Sequence, residues 1–212
     1  MTALKFHNGS SERVFGQGPS LGWGAMATIF EAIQAGDADG VRKVLADDPA
    51  AAGARDDNGT SAVRTALYAQ RQDLADAVLE AGPELDVFDA AAAGHVDRLT
   101  RLLDDDPDLV NAWSSDGFAP LHLASFFSRG DAVRLLLDRG ADVGAVARND
   151  MKVQPLHSAV AAQSTEIVAA LLVAGADPNA RQQDDFTPMM AAEQHENTDL
   201  VRLLLDHGAE TA

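Results

Sequence analysis

The apolar residues of this chain recur in a helical pattern from about residue 27 onward. In six separate segments, three apolar side chains follow i, i+3, i+4 spacing, which places them on one face of an α-helix. These segments carry Val41, Val44, Leu45; Ala75, Val78, Leu79; Leu99, Leu102, Leu103; Val133, Leu136, Leu137; Val168, Leu171, Leu172; and Val201, Leu204, Leu205. Each segment therefore predicts one amphipathic helix.

A second pattern sets the register of these helices, because an alanine stands nine residues before each apolar stripe. The reference alanines are Ala32, Ala66, Ala90, Ala124, Ala159 and Ala192. Sixteen residues after them come either glycines suited to a left-handed helix C-terminus or an Asp-Pro pair that stops a helix. These stops are Gly82, Gly140, Gly175, Gly208, Asp48-Pro49 and Asp106-Pro107. The register predicts an all-α solenoid of six stacked helix-turn-helix units.

Two of the units also carry a recognisable motif at the start of their first helix. Pro120-Leu121-His122-Leu123-Ala124 and Pro155-Leu156-His157-Ser158-Ala159 resemble the T-P-L-H-x-A signature of the ankyrin repeat. The likeness is to bacterial ankyrin proteins of a few repeats. It implies that the two histidines hydrogen-bond neighbouring backbone, and that a hairpin-like finger projects between successive units.

On this resemblance the chain divides into a glycine-rich arm at residues 1–25, which we expect to be flexible, and an ankyrin repeat domain at residues 26–212. The approximate repeats are 27–58, 59–85, 86–116, 117–150, 151–184 and 185–212. Gly82 stands only eight residues before Ala90, whereas other junctions take 17 to 19 residues. The second repeat therefore predicts a missing finger, with a notch between Tyr68 and Trp113, while Arg148 to Lys152 should protrude.

Charge and composition narrow the possible ligands. The net charge is -17, from 16 basic and 33 acidic residues, and such a field repels nucleic acid and favours a basic partner. Cysteine is absent, which excludes disulfides and thiolate metal sites. With no membrane-length apolar run and no metal or cofactor motif, we expect a cytoplasmic monomer that binds neither membrane nor cofactor.

Aromatic side chains collect in the middle of the predicted concave face and its fingers. Our leading hypothesis is a non-enzymatic scaffold that binds a protein or peptide there, because exposed aromatic clusters are typical of binding hot spots. The predicted contact residues are Tyr68, Trp113, Asp116, Phe118, Phe126, Phe127, Arg148, Met151, Lys152 and Phe186. A structural alternative stays open, in which Phe126 and Phe127 only pack beneath neighbouring fingers.

Two further alternatives also stay open. Asp89 and Glu31 replace small or apolar residues at one helical position, and Asp89 precedes an alanine floor near Trp113. A carboxyl group with a raised pKa in an aromatic pocket would suit binding of a small molecule, or its acid-catalysed cyclisation or isomerisation. Alternatively, the uncovered last repeat, with Val201 and Leu204, would stack against another copy of the chain.

Overall fold

The computed structural model describes residues 28–211, and within them the chain forms twelve α-helices and three short 3-10 helices. The expected flexible arm at residues 1–25 lies outside the described residues. The α-helices are α1 (Ile29–Ala35), α2 (Ala38–Asp47), α3 (Ala62–Tyr68), α4 (Gln72–Glu80), α5 (Val87–Ala93), α6 (Val96–Asp105), α7 (Pro120–Phe126), α8 (Gly130–Asp138), α9 (Pro155–Ala161), α10 (Thr165–Val173), α11 (Pro188–Gln194) and α12 (Thr198–Asp206). The 3-10 helices are Pro49–Gly53, Pro107–Asn111 and Gln183–Asp185.

The helices form two layers. Each odd-numbered helix packs on the even-numbered helix that follows it, and the odd-numbered helices pack on one another in chain order from α1 to α11. The even-numbered helices pack in the same way from α2 to α4 and from α6 to α12. No strand occurs in residues 28–211, so the predicted all-α solenoid of helix-turn-helix repeats is confirmed.

The reference alanines lie where the first helices of successive repeats approach each other. All six are buried, and only Ala32 retains a measurable exposure, at 3%. A methyl side chain lets neighbouring helix backbones come close, and the apolar stripes of the second helices then fill the space between the layers. Leu99, Leu136 and Leu171 of those stripes are fully buried. The hydrophobic core is therefore continuous along the stack.

The helix ends follow local chemistry that the sequence predicts. Gly82, Gly140 and Gly175 follow the ends of their helices with φ values of 73°, 83° and 96°, a left-handed conformation that glycine adopts without steric cost. Where Asp106-Pro107 replaces glycine, the Asp106 carboxylate accepts a hydrogen bond from the Asp108 N–H at 3.2 Å, and a 3-10 helix follows. Both predicted kinds of helix stop are present.

The two signature histidines have the structural role that the resemblance implies. The buried His122 accepts a hydrogen bond at Nδ1 from the Ala119 N–H at 3.2 Å, so its proton lies on Nε2, which donates to the Val153 carbonyl at 3.1 Å. Burial lowers the pKa of His122 to about 4. His157 repeats the arrangement one unit later, and burial lowers its pKa as well.

Candidate binding surface

Three of the predicted contact residues form an aromatic cluster at the C-terminal ends of first helices. Tyr68 is the last residue of α3, Phe126 is the last residue of α7, and Phe127 follows it. The ring centroids of Tyr68 and Phe127 lie 5.4 Å apart, and those of Phe126 and Phe127 lie 5.1 Å apart in an edge-to-face arrangement. All three side chains are half-buried, so the cluster is accessible from one side.

The cluster joins the second repeat to the fourth across the third. In the third repeat, α5 ends in the small residues Ala92 and Ala93, which leave room above them. Arg129 crosses this space, donating from Nε to the Ala92 carbonyl at 2.9 Å and from Nη2 to Gln72 Oε1 at 2.8 Å. Desolvation lowers the pKa of Arg129, with Asp76 opposing the shift. Ala92 is fully buried and Arg129 covers this end of α5, so the alanine floor predicted beside Asp89 does not face an open pocket.

An open cavity of about 400 Å³ lies beside the aromatic cluster. Its lining consists of Leu67, Gln70, Gln72, Phe126, Phe127, Ser128, Arg129, Ala161 and Ala162. The base is apolar, whereas the amide, hydroxyl and guanidinium groups supply hydrogen-bond donors and acceptors at the rim. The predicted contact residues do not include Gln70, Gln72, Ser128 or Arg129, because polar residues in the turns between helices and at the first position of α4 carry no periodic signal.

The fingers contribute a second group of predicted residues. The Arg148 guanidinium carbon lies 4.4 Å from the centroid of the Trp113 ring, a cation–π distance, and the Arg148 N–H donates to the Gly117 carbonyl of the preceding finger at 2.8 Å. Met151 is half-buried in the same finger as Arg148, and Lys152 is exposed. Trp113, Arg148 and Lys152 are therefore available to a partner at the finger tips.

The two phenylalanines predicted on the fingers, Phe118 and Phe186, differ in how deeply they are buried. Phe118 is only 8% exposed and packs against His122 with ring centroids 6.0 Å apart, so its prediction as an exposed anchor is wrong. Phe186 is half-buried in the last finger, where its carbonyl accepts a hydrogen bond from the Gln182 N–H at 3.0 Å.

Asp116 serves the fold rather than the steering of a basic partner. Its Oδ2 accepts a hydrogen bond from the Tyr68 hydroxyl at 2.7 Å, and its Oδ1 forms an ion pair with Arg64 Nη1 at 3.2 Å. Ser114 donates a third hydrogen bond to the same carboxylate. Both oxygens of Asp116 therefore have partners within the repeat stack, and the contact with the Tyr68 hydroxyl holds the Tyr68 ring in the cluster.

Asp89 lies in a buried polar network. Its Oδ1 accepts hydrogen bonds from Arg64 Nε at 2.9 Å and from the Ser61 hydroxyl at 2.7 Å, while its Oδ2 accepts from Arg55 Nη2 at 3.1 Å. Burial and the neighbouring Asp86 raise the pKa of Asp89, and Ser61 and the two arginines oppose that shift. The carboxylate is 1% exposed. It therefore has no open face toward a ligand.

The acid-catalysed alternative loses its basis for this reason. Asp89 has the raised pKa expected of a catalytic acid, but both of its oxygens already accept hydrogen bonds, and it does not line the cavity beside the aromatic cluster. Glu31 is exposed, and its carboxylate accepts a hydrogen bond from the Thr28 N–H at 2.7 Å in a capping box. The two carboxylates have separate partners and form no common pocket.

The predicted notch between Tyr68 and Trp113 is also absent. The finger turn at Gly59 lies against Ser115 of the next finger present, although a whole finger is missing from the sequence between them. Arg55 reaches Asp86 at 2.9 Å, and Arg64 reaches Asp116. Charged side chains therefore close the gap that the short junction leaves in the row of fingers.

The part of the chain that the structure describes also lacks two other kinds of site. None of its helices combines the length and the apolar character needed to cross a bilayer. Within residues 28–211, no three acidic or histidine side chains converge as metal ligands would.

Comparison with known proteins agrees with the architecture. Residues 87–137 match a family model described as ankyrin repeats in many copies, and residues 146–212 match one described as ankyrin repeats in three copies. The two models together cover more than half of the chain. They also cover both segments with the Pro-Leu-His signature.

Several curated proteins are similar over part of their length. An E3 ubiquitin-protein ligase of Arabidopsis thaliana is 29% identical over 180 residues, 85% of this chain and 10% of that protein. An ankyrin repeat protein of Acanthamoeba polyphaga mimivirus is 27% identical over 170 residues, 74% of this chain and 22% of the relative. The Drosophila melanogaster Notch protein is 38% identical over 95 residues, which are 44% of this chain and 3% of the length of that Notch protein. The chain therefore spans a small part of each relative.

Proposed function

Because this chain belongs to the ankyrin repeat family, whose members generally mediate protein–protein interaction, we propose that it is a non-enzymatic scaffold that binds a protein or peptide on its concave face. The contact surface consists of Tyr68, Phe126 and Phe127 with the cavity beside them, and of Trp113 and Arg148 at the fingers. Met151, Lys152 and Phe186 extend this surface along the fingers.

The observation that carries the proposal is that two half-buried phenylalanines line an open cavity built by three repeats. Phe126 and Phe127 lie next to Leu67 of the second repeat and Ala161 of the fifth, so a partner side chain entering the cavity would contact all three repeats. Large aromatic side chains around a partly desolvated cavity with a polar rim have the composition of protein-binding hot spots.

The charge of the chain supports a basic partner. With 33 acidic and 16 basic residues, the chain attracts cationic surfaces over distances of about a Debye length and repels nucleic acid. Because Asp116 is already paired with Arg64, this attraction comes from exposed acids such as Asp184 and Asp150 on the fingers. The expected cytoplasmic location and monomeric state stay predictions, which cell fractionation and light scattering test.

The test compares two variants of the cavity and finger with a matched variant elsewhere. Phe126→Ala and Trp113→Ala should each reduce recovery of bound protein in a quantitative pull-down from the source cell. Val173→Ala is the control, because Val173 is an apolar residue that is 81% exposed on α10. Circular dichroism checks that each variant folds. Equal recovery of every bound protein by folded wild type and variants would contradict the proposal.

A second measurement needs no truncated side chain. A photo-crosslinking phenylalanine analogue is incorporated at position 126 in one sample and at position 173 in another. Position 126 should yield a discrete crosslinked partner that position 173 does not yield. If position 126 gives no crosslink, or gives the same products as position 173, the concave face is not the contact surface.

A further inference from the structure

A second cavity opens in the layer of even-numbered helices, between α4 and α6. Its volume is about 400 Å³. Its lining consists of Leu79, Gly82, Pro83, Glu84, Leu85, His95, Arg98 and Arg101. The cavity exists because residues 81–86 connect α4 directly to α5 without a finger, so α4 and α6 do not pack as closely as the other helices of this layer.

The chemistry of this cavity is opposite to that of the chain as a whole. Leu79, Pro83 and the buried Leu85 supply apolar surface, whereas α6 supplies the two cationic residues Arg98 and Arg101, and His95 stands directly before α6. Acidic residues outnumber basic ones by about two to one in the sequence, yet Glu84 is the only acid in the lining. The cavity therefore favours a ligand that is both apolar and anionic.

The protein's own Glu84 indicates how a carboxylate would be held. Arg98 donates from Nε to the Leu85 carbonyl at 3.0 Å, which orients the guanidinium, and its Nη2 lies 3.3 Å from Glu84 Oε1. The Glu84 side chain is 90% exposed, so this ion pair is weak and an incoming carboxylate can compete with it. Arg101 is exposed and forms no ion pair within the described part of the chain.

We propose that this cavity binds a partner peptide that carries an acidic side chain next to a large apolar one. The apolar side chain packs on Leu79 and Leu85, and the carboxylate pairs with Arg101 and Arg98. The two cavities share no lining residue, so this contact is independent of the concave-face function proposed above. A chain with both sites is an adaptor that holds two partners of different charge.

The experiment is an NMR titration of the full, isotopically labelled chain with two tetrapeptides. The probe is acetyl-Asp-Phe-Asp-Leu-amide, and the control is acetyl-Lys-Phe-Lys-Leu-amide. The acidic peptide should shift backbone amide signals of residues 79–85 and 95–101, and binding should weaken as salt is added. The lysine peptide should leave these signals in place. Comparable shifts with both peptides, or acidic-peptide shifts confined to Phe126 and Phe127, would overturn the proposal.

Two charge-reversal variants separate a specific contact from the general field of the chain. Arg101→Glu should weaken binding of the acidic peptide by about tenfold or more, because it puts a like charge in the site. Lys43→Glu is the matched control, since Lys43 is also exposed and lies eleven residues after its reference alanine, as Arg101 does. Equal weakening by both variants would show that only the overall electrostatic field of the chain acts on the peptide, and it would contradict a specific binding site in the cavity.

A third variant tests whether the Glu84 carboxylate competes with the peptide for Arg98. Glu84→Gln removes the internal carboxylate that competes for Arg98, so the acidic peptide should bind about two- to threefold more tightly. Unchanged or weaker binding by this variant would contradict the assigned position of the carboxylate.

Discussion

Arg64 and Asp89 form an ion pair inside the repeat stack, with Arg64 Nε 2.9 Å from Asp89 Oδ1 and both side chains at most 2% exposed. Arg64 also pairs with Asp116, so one guanidinium joins α3 to α5 and to the finger that precedes α7. Burial lowers the pKa of Arg64, but attraction to Asp89 and Asp116 outweighs that effect, and its pKa lies above the ordinary value. This network replaces the missing finger.

Removing Arg64 should therefore destabilise the whole stack. Arg64→Ala leaves the buried Asp89 and the partly buried Asp116 with fewer partners, and breaking a buried pair such as Arg64–Asp89 costs about 3–5 kcal/mol of unfolding free energy. Urea denaturation followed by circular dichroism measures the change. Arg42→Ala is the control, because Arg42 forms an exposed pair with Asp39, and its loss should cost less than about 0.5 kcal/mol.

A double replacement tests the cause of that loss. Arg64→Met combined with Asp89→Leu removes both charges, so the double variant should be more stable than Arg64→Met alone, which has the same side chain at position 64 but keeps the unpaired Asp89 charge. A double variant that is as unstable as Arg64→Met would contradict the unpaired Asp89 charge as the cause of the destabilisation.

Two buried serines should respond in opposite ways to alanine substitution. Ser125 is fully buried and its hydroxyl oxygen has no hydrogen-bond partner, so Ser125→Ala should stabilise the protein by about 1 kcal/mol. The Ser114 hydroxyl bonds with the Asp116 carboxylate and the Phe118 backbone, so Ser114→Ala should destabilise it by about 1–2 kcal/mol. Thermal unfolding measures both. Two changes of the same sign would contradict the hydrogen-bond assignment.

His122 should make the protein less stable in mild acid. Its pKa is about 4 in the folded chain and about 6.5 when unfolded, so the unfolded state binds the proton first as pH falls. The contribution of neutral His122 to the free energy of unfolding is fully present above pH 6.5 and is lost progressively toward pH 4, by about 3 kcal/mol in total. Unfolding free energies at pH 7.5 and pH 5 measure part of this loss, about 2 kcal/mol.

A histidine variant isolates this contribution from other titrating groups. His122→Gln should reduce the difference between the two pH values, whereas His195→Gln should not, because His195 is exposed on the surface. An unchanged difference in the His122 variant would mean that this imidazole is not the source of the acid sensitivity.

Tyr68 should resist ionisation at alkaline pH. Burial and the hydrogen-bonded Asp116 carboxylate raise its pKa well above 10, so the neutral phenol is favoured in the folded state. The contribution of the neutral Tyr68 phenol to the free energy of unfolding is present below pH 10 and is lost as pH rises further. Because Tyr68 is the only tyrosine in the chain, phenolate absorbance reports it directly. We expect no phenolate at pH 11 until the protein unfolds.

Asp116→Asn provides the comparison for that titration. It removes the charge that disfavours the phenolate while burial of the ring persists, so ionisation should begin at lower pH than in the wild type. If folded wild type and Asp116→Asn both titrate near pH 10, the contact between Tyr68 and Asp116 does not persist in solution.

The sequence predicted the helices well because their signals are local. Amphipathic spacing, alanine register, glycine stops and Asp-Pro stops each depend on residues within one or two helical turns, and the structure has a helix pair wherever these signals coincide. The histidine roles at His122 and His157 also followed from a short motif whose partners lie in the neighbouring finger.

The candidate surface was predicted only in part. The sequence predicts Tyr68 and Phe127 as aromatic contact residues of the concave face, but nothing in their separation of 59 residues predicts that their rings touch. Phe118 and Asp116 are of residue types that also occur at exposed contact positions. In the structure, however, Phe118 is buried against His122, and Asp116 is paired with Arg64. Residue type alone does not distinguish these states.

By itself, the amino-acid sequence determined six helix-turn-helix units, their order and the shortened second junction, because periodicity and helix stops act over a few residues. How that junction is closed depends on contacts between residues far apart in the sequence, which form when the repeats stack. Arg64 meets Asp89 and Asp116, which lie 25 and 52 residues further along the chain, and the energy of burying those charges depends on all three arriving together. The same stacking that pairs these charges on one side of the short junction leaves a basic cavity on the other.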